Sequence, residues 1–390
     1  MNKKLVLIIS VLLVFTMIFT ACQQNTDTGT PSEEETIKIG WIGGLTGDFA
    51  PWGTCESNAA KLIAEQTNDN GGILGRKVEI VSYDTRGDAT ESVNAVKRLI
   101  TQDKVIAVLG PNTSGQAMSI TSVLNEHKVP NIATVATNPK VTVQDDGTVN
   151  PYNFRICFID PYQGAVAAGY AADRLGYTKG AVLYDVSSDA SEAFSEYFQQ
   201  TFIEKGGEIV AVEGFKGGDV DFRPQLSKIK EANPEVILFP YNYKDVALSA
   251  NQARELGITA TLMGGDGWPS EVLMEMAGEA IEGSFIVNHL DIADPVVKEF
   301  TEQYVEKYDI KPEINAYLVH DAFKLLEAAI IDANSFDTVK ITESLTKVTV
   351  EGLTGTIRLS EEDHNPIGKQ AAIQEIVNKE YVFKERYSPY

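Results

Sequence analysis

Three short stretches bring together residue types suited to holding a charged small molecule. The first is Gly110-Pro111-Asn112-Thr113-Ser114-Gly115. It follows the apolar run Val105-Ile106-Ala107-Val108-Leu109 and precedes residues 116–128, whose apolar positions (Met118, Ile120, Val123, Leu124) recur at helical spacing. That order reads as strand, tight turn, helix N-terminus. The first turn of a helix carries unpaired N–H groups and the positive end of the dipole, so it favours an anion. Read alone, Ser114 is equally an N-cap. The second stretch, Val135-Ala136-Thr137-Asn138-Pro139, offers N–H groups and a hydroxyl, or is an ordinary turn fixed by Asn-Pro. The third, Leu262-Met263-Gly264-Gly265-Asp266-Gly267-Trp268, puts a carboxylate on a glycine-flexed loop, either a cation site or a turn aspartate. Trp52, in the loop beyond the first strand, and Tyr241, at the end of a later one, are pocket walls or packing residues.

Other chemistries find no support. The glycine-rich runs at 71–76 and 264–267 lack the spacing of a P-loop or dinucleotide fingerprint, and there is no nucleophile elbow. Four scattered histidines give neither a catalytic triad nor a zinc spacing. Carboxylate pairs are uninformative in so acidic a chain. The sequence therefore reads as a non-enzyme with no cofactor and no metal.

The elements that must position these stretches alternate. Strands are expected at 37–43, 77–83, 105–109, 129–134 and 154–158, with helices at 56–68, 89–101 and 116–128 between them. The rhythm then restarts. Helices at 162–175, 192–204, 222–232 and 246–256 alternate with strands at 180–184, 208–215, 236–240, 260–263 and 284–287. Two long helical patterns, 296–307 and 315–333, precede short strands at 355–359 and 371–377. Short connections between alternating elements make parallel sheets with helices on both faces. Two such halves in tandem imply two lobes, with a ligand in the cleft beyond the carboxyl ends of the strands.

The N-terminus stands apart. Lys3-Lys4, a 15-residue apolar run from 5 to 19 and small residues before Cys22 form a secretory signal too short for a confident membrane span. It resembles a bacterial lipobox, with Phe19 where Leu is usual, which implies cleavage after residue 21 and lipidation of Cys22. Residues 22–36 are polar and acidic and read as a tether between a membrane anchor and the folded body. Removing residues 1–21 lowers Lys+Arg from 33 to 31 against 55 Asp+Glu, for a formal charge of −24. Such a chain repels nucleic acid. Cys55 and Cys157 are expected as two buried free thiols.

One family accounts for the order of these features. Leu45-Thr46-Gly47 with Trp52-Gly53, Asn68 through Gly71-Gly72-Ile73 to Gly75-Arg76, Gly110 to Ser114-Gly115, Ala136-Thr137-Asn138-Pro139, Phe154-Arg155, Asp160 with Gln163-Gly164, and Gln252-Ala253-Arg254-Glu255-Leu256-Gly257 follow in sequence. That series resembles the leucine/isoleucine/valine-binding-protein family of ABC-importer substrate-binding lipoproteins, over essentially the whole mature chain. The resemblance implies an α/β fold of the type I periplasmic-binding kind, two lobes joined by three hinge crossovers. Its lobes would be 37–158 plus 289–364, and 159–288 plus 365–390. It implies a monomer, exported and lipid-anchored to the outer face of the cytoplasmic membrane, that passes an α-amino acid of branched-chain or hydrophobic type, or a close relative, to an ABC permease. The same fold holding an amide, urea derivative or aromatic carboxylate, or serving as a sensor component, is the alternative.

The resemblance also assigns roles. Ser114 and the loop Val135, Ala136, Thr137 would hold a ligand carboxylate, Asp266 with Tyr241 its ammonium, and Trp52 would wall the side-chain pocket; Asp160 matches a motif position beside them. Two positions depart from the pattern. Ala190 stands where many members have a pocket tyrosine, and Asp266 where relatives often carry the longer glutamate. Asp189 and Tyr162 are therefore expected to make the pocket partly polar.

Overall fold

A computed structural model describes residues 36–389. The signal segment, Cys22 and all but the last residue of the tether lie outside the described residues. The first half builds β1 (Ile37–Gly43), α1 (Ala50–Asp69), β2 (Val78–Asp84), α2 (Ala89–Arg98), β3 (Val108–Leu109), α3 (Ser114–His127), β4 (Asn131–Ala133) and β5 (Asn153–Arg155). These strands form one parallel sheet in the order β2-β1-β3-β4-β5, with β1 and β2 in register from Ile37↔Val78 to Gly43↔Asp84.

The second half continues with α4 (Asp160–Asp173), β6 (Lys179–Asp185), α5 (Asp189–Glu204), β7 (Glu208–Phe215), α6 (Arg223–Ala232), β8 (Val236–Leu238), α7 (Tyr243–Glu255), β9 (Thr261–Gly264), α8 (Glu271–Ala277) and β10 (Phe285–Asn288). The chain then returns to pack α9 (Lys298–Tyr308) and α10 (Ile314–Ala333) on the first sheet's core. After α11 (Thr338–Ser344) and the antiparallel ribbon of β11 (Thr349–Gly352) and β12 (Gly355–Arg358), β13 (Ala371–Val377) and β14 (Glu380–Tyr387) complete the second sheet. Its order is β14-β13-β10-β9-β8-β6-β7, parallel except for the last two strands of the chain.

Strand parity explains the unbroken apolar runs. Leu183, Ile237 and Leu262 belong to one core of the second sheet, while their neighbours Val182, Leu238 and Met263 belong to the core on its other face. The first lobe has a large core in which Ile39 and Trp41 of β1 meet Ile63 of α1 and Leu318 and Leu325 of α10. The helix expected from residue 56 starts at Ala50, because Pro51 supplies a helical φ where an N–H is not needed. Trp52 thus sits on the first turn of a helix rather than in a loop. Cys55 and Cys157 are buried and unpaired, and burial pushes both thiols up to about 12. No helix among the described residues is long and apolar enough to cross a membrane.

A carboxyl lies buried in the first core. Glu56 on α1 is fully buried and accepts hydrogen bonds from Trp41 Nε1 (3.3 Å), Thr134 Oγ1 (3.1 Å) and Asn315 Nδ2 (3.0 Å). It ties β1, the loop after β4 and α10 to one helix. Burial outweighs these donors and raises its carboxyl from 4.5 to about 7. A raised acid stabilises the fold below its unfolded value and loses that contribution as pH climbs through the folded one. Denaturation of the wild type and Glu56→Gln at pH 5 and pH 8 is expected to show the wild type losing about 3 kcal/mol more across this interval.

Candidate ligand-binding site

Every stretch singled out for its chemistry follows the carboxyl end of a strand, and both sheets aim those ends at one cleft. The cleft encloses a cavity of about 300 Å³. The first lobe lines it with Asn112 to Gln116 after β3 and with Val135 and Thr137 after β4. The second contributes Asp185 at the end of β6 with Ser187 to Ser191 beyond it, Pro240 to Asn242 after β8 and Gly265 to Gly267 after β9. Asp160, at the start of α4, lines it where the chain enters the second lobe.

Ser114 is the first residue of α3, and Thr113 occupies the N-cap position without a capping side-chain bond. Ser114 is therefore not the N-cap. Its Oγ instead accepts the Asn138 N–H at 3.1 Å, fastening the two first-lobe loops together. The first-turn N–H groups are left uncapped beside the cavity. Gly110 permits this geometry: its φ is +89°, and a Cβ there would meet Ile42 O at 2.4 Å. Beneath the second loop lies Arg155, fully buried. Its Nη1 donates to Ala136 O (2.8 Å), and its Nη2 donates to Pro139 O (3.2 Å) and Thr142 Oγ1 (3.0 Å). The first lobe thus faces the cavity with N–H groups, hydroxyls and a cation behind them.

The second lobe faces it with carboxylates. Asp266 Oδ2 sits 3.0 Å from Nε2 of His289, a buried ring stacked on Phe158 at 3.8 Å. Burial lowers the pKa of His289, and the hydrogen bond to Asp266 works against that. The Asp266 N–H donates to Gln163 Oε1 at 2.8 Å. Gly265 leaves room for that bond, since a Cβ there would meet the same oxygen at 2.2 Å. Asp160 is 1% exposed, and its Oδ2 has no partner among the described residues. Burial pushes its carboxyl well above the usual range, a Thr137 hydrogen bond works against this, and the Asp266 charge adds to it.

The rims of the cleft touch. Asn138 Nδ2 donates to Asp189 O (2.9 Å), Lys244 Nζ pairs with Asp48 (2.7 Å), and Tyr243 OH donates to Asp48 O. Trp52 reaches across to pack edge-on against Tyr243, with ring centroids 5.3 Å apart.

Trp52, Ser114, Val135, Thr137, Asp160, Asp189, Tyr241 and Asp266 all border the cavity. Ala136 and Tyr162 do not. The Ala136 methyl packs beside Ala117, Ala133 and Val141, and the Tyr162 ring lies 6.0 Å from that of Phe158 in the second lobe. Tyr241 borders the cavity, its hydroxyl is hydrogen-bonded to Ser249 Oγ at 2.8 Å, and its ring stacks on Phe239. Gln163, Arg155 and Asn112 escaped the sequence reading as site residues. Gln163 lies three residues beyond Asp160 on one helix face, a spacing that marks it as a neighbour; Asn112 stands in the turn already singled out before Ser114, and Arg155 carries no such signal.

A family model described as "Periplasmic binding protein" matches residues 36–380. The chain belongs to this periplasmic binding protein family. Among solved structures it is similar to the leucine-binding protein LivK of Thermotoga maritima, at 35% identity and a TM-score of 0.82, covering 90% of this chain and 99% of that one. It is also similar to the branched-chain amino acid transporter substrate-binding protein LivJ of Streptococcus pneumoniae in complex with isoleucine. That match has 30% identity and a TM-score of 0.84 and covers 91% and 100% of the two chains. A Pseudomonas aeruginosa leucine-, isoleucine-, valine-, threonine- and alanine-binding protein is 28% identical over 84% of this chain and 86% of its own length. The periplasmic-binding fold with two mostly parallel sheets is common to these structures. Membership places the chain among substrate-binding proteins rather than enzymes.

Arg155 is the positioning residue for the loop that carries Thr137. Arg155→Leu would strand two carbonyls and remove a positive charge that favours the Asp160 carboxylate, and is expected to cost about 3 kcal/mol of unfolding free energy, read by denaturant titration.

Proposed function

We propose that this periplasmic binding protein captures an α-amino acid in the cleft and delivers it to a membrane ABC permease, as an exported monomer held to the outer face of the membrane by a lipid on Cys22. The observation that carries this reading is the opposition of two chemistries across one cavity. The uncapped first turn of α3 with the Ser114 and Thr137 hydroxyls suits a carboxylate. Asp266, with Asp160 beside it, suits an ammonium. The two groups on one α-carbon would bridge the lobes, and the binding energy would favour the closed arrangement that a permease recognises. The names of the relatives support the amino acid class, from branched-chain leucine, isoleucine and valine to alanine and threonine.

The amine decides between this reading and a simple carboxylate. A carboxylate lacking it would leave Asp266 and Asp160 desolvated without a cation. In a thermal-shift panel, amino acids are expected to raise the melting temperature and their deaminated analogues to leave it unchanged. Equal stabilisation by both would overturn the assignment. By calorimetry, Ser114→Ala and Asp266→Asn are each expected to weaken binding of the best amino acid by about 2 kcal/mol or more, roughly 30-fold.

A further inference from the structure

The cavity wall beyond the groups assigned to the α-carboxylate and α-ammonium is unlike an aliphatic pocket. Ligand sites are ordinarily lined by apolar side chains with a few polar ones. Among the described lining residues Val135 is the one branched aliphatic, beside the rings of Phe49, Trp52, Phe194 and Tyr241, and five aspartates border the cavity with neither lysine nor arginine. Asp160 and Asp266 serve the α-ammonium in the function proposed above. That leaves Asp185, Asp189 and Asp245 as the other acidic residues of the lining.

Asp245 lies in the first turn of α7, two residues beyond Tyr243, the ring that meets Trp52 across the cleft. No hydrogen bond or ion pair holds its carboxylate among the described residues, and the neighbouring Lys244 is paired with Asp48 on the rim. Burial, then the charge of Asp185, raises it to about 6. Asp185 stays in place through Oδ1, which accepts from Ser187 N (2.8 Å), Ser187 Oγ (2.6 Å) and Gly217 N (2.9 Å). An independent observation comes from the facing lobe. Asn112 is 3% exposed and lines the same cavity, and neither Oδ1 nor Nδ2 of its amide has a partner among the described residues. A buried, unpartnered amide calls for a polar group of a ligand.

From this juxtaposition of Asp245 and Asp185 with the Asn112 amide and the Trp52 ring, we infer that the side-chain end takes a cation. The ligand is then a basic α-amino acid bearing an ammonium or guanidinium. An aliphatic side chain would desolvate Asp245 and strand the Asn112 amide. A cation neutralises two like charges at once, takes Asn112 Oδ1 as a further acceptor and meets an indole ring.

This inference rests on the α-amino acid reading, and one calorimetric series on the purified protein separates the two. The ligands are lysine, ornithine, arginine, leucine, norleucine and glutamine, with cadaverine and agmatine as amines lacking the α-carboxylate. At least one basic amino acid is expected to bind about tenfold or more tighter than leucine and norleucine. In Asp245→Asn, and separately in Asp185→Asn, the ratio of basic to aliphatic affinity is expected to fall by about tenfold. Leucine or glutamine binding as tightly as every basic amino acid, or an unchanged ratio in both variants, would overturn the inference while leaving an amino acid site. Cadaverine or agmatine matching lysine or arginine would instead sink the α-amino acid reading and keep the cationic end.

Discussion

Closing two lobes over acidic side chains is favourable only if those groups meet a partner. Asp160 and Asp266 stand together in the cleft, one of them fully buried with an unpartnered oxygen, and no base lines the cavity among the described residues. A buried, unneutralised carboxylate is among the costliest features a fold can carry. The first lobe is arranged in the opposite sense: the uncapped turn of α3, the Ser114 and Thr137 hydroxyls, and Arg155 behind them. A zwitterion satisfies both sides and neither lobe alone can hold it. Closure and recognition are then the same event.

That arrangement depends on topology. In each sheet the strands run parallel and deliver their carboxyl ends to the cleft, so loops far apart in sequence converge there. Ser114 and Asp266 are brought to one cavity because β3 and β9 end on facing edges. The acidic side is also joined to the crossovers. Asp266 bonds His289, which follows β10, and His289 stacks on Phe158, which follows β5. A ligand pulling on Asp266 therefore acts on the segments about which the lobes would turn. Lys369 strengthens that region, donating to Ile156 O at 2.8 Å and to Thr354 Oγ1 at 2.7 Å, so that first and third crossovers are tied.

Much of the fold was legible in the sequence because period and punctuation agree. The run Ile37 to Gly43, the β7 strand and the β13 strand appear at the bounds their patterns gave. Other elements were hidden for physical reasons. β14 alternates weakly, and its hairpin turn is Asn378-Lys379, two positive-φ residues without the glycine that usually marks such a turn. Helix α11 is a seven-residue piece whose signal is chiefly its Asp337 cap. Among the residues bordering the cavity, Ser114, Thr137 and Asp266 follow strand ends and stand out by residue type, while Asp160 enters only through the family resemblance. Those whose role depends on what packs behind them do not stand out in this way. Arg155 looks like any strand arginine until its three acceptors are seen. The tie of the Tyr241 hydroxyl to Ser249 likewise leaves no mark in the sequence pattern.

The account turns on the claim that one molecule carrying both an amine and a carboxylate joins the lobes. Native mass spectrometry of the protein as isolated tests this most directly, since tight cleft binders retain ligand through purification. The account predicts an additional mass equal to that of an α-amino acid, released on denaturation and identified by fragmentation as carrying a free α-amine. A retained carboxylic acid without an amine, or a neutral amide or urea, would contradict it.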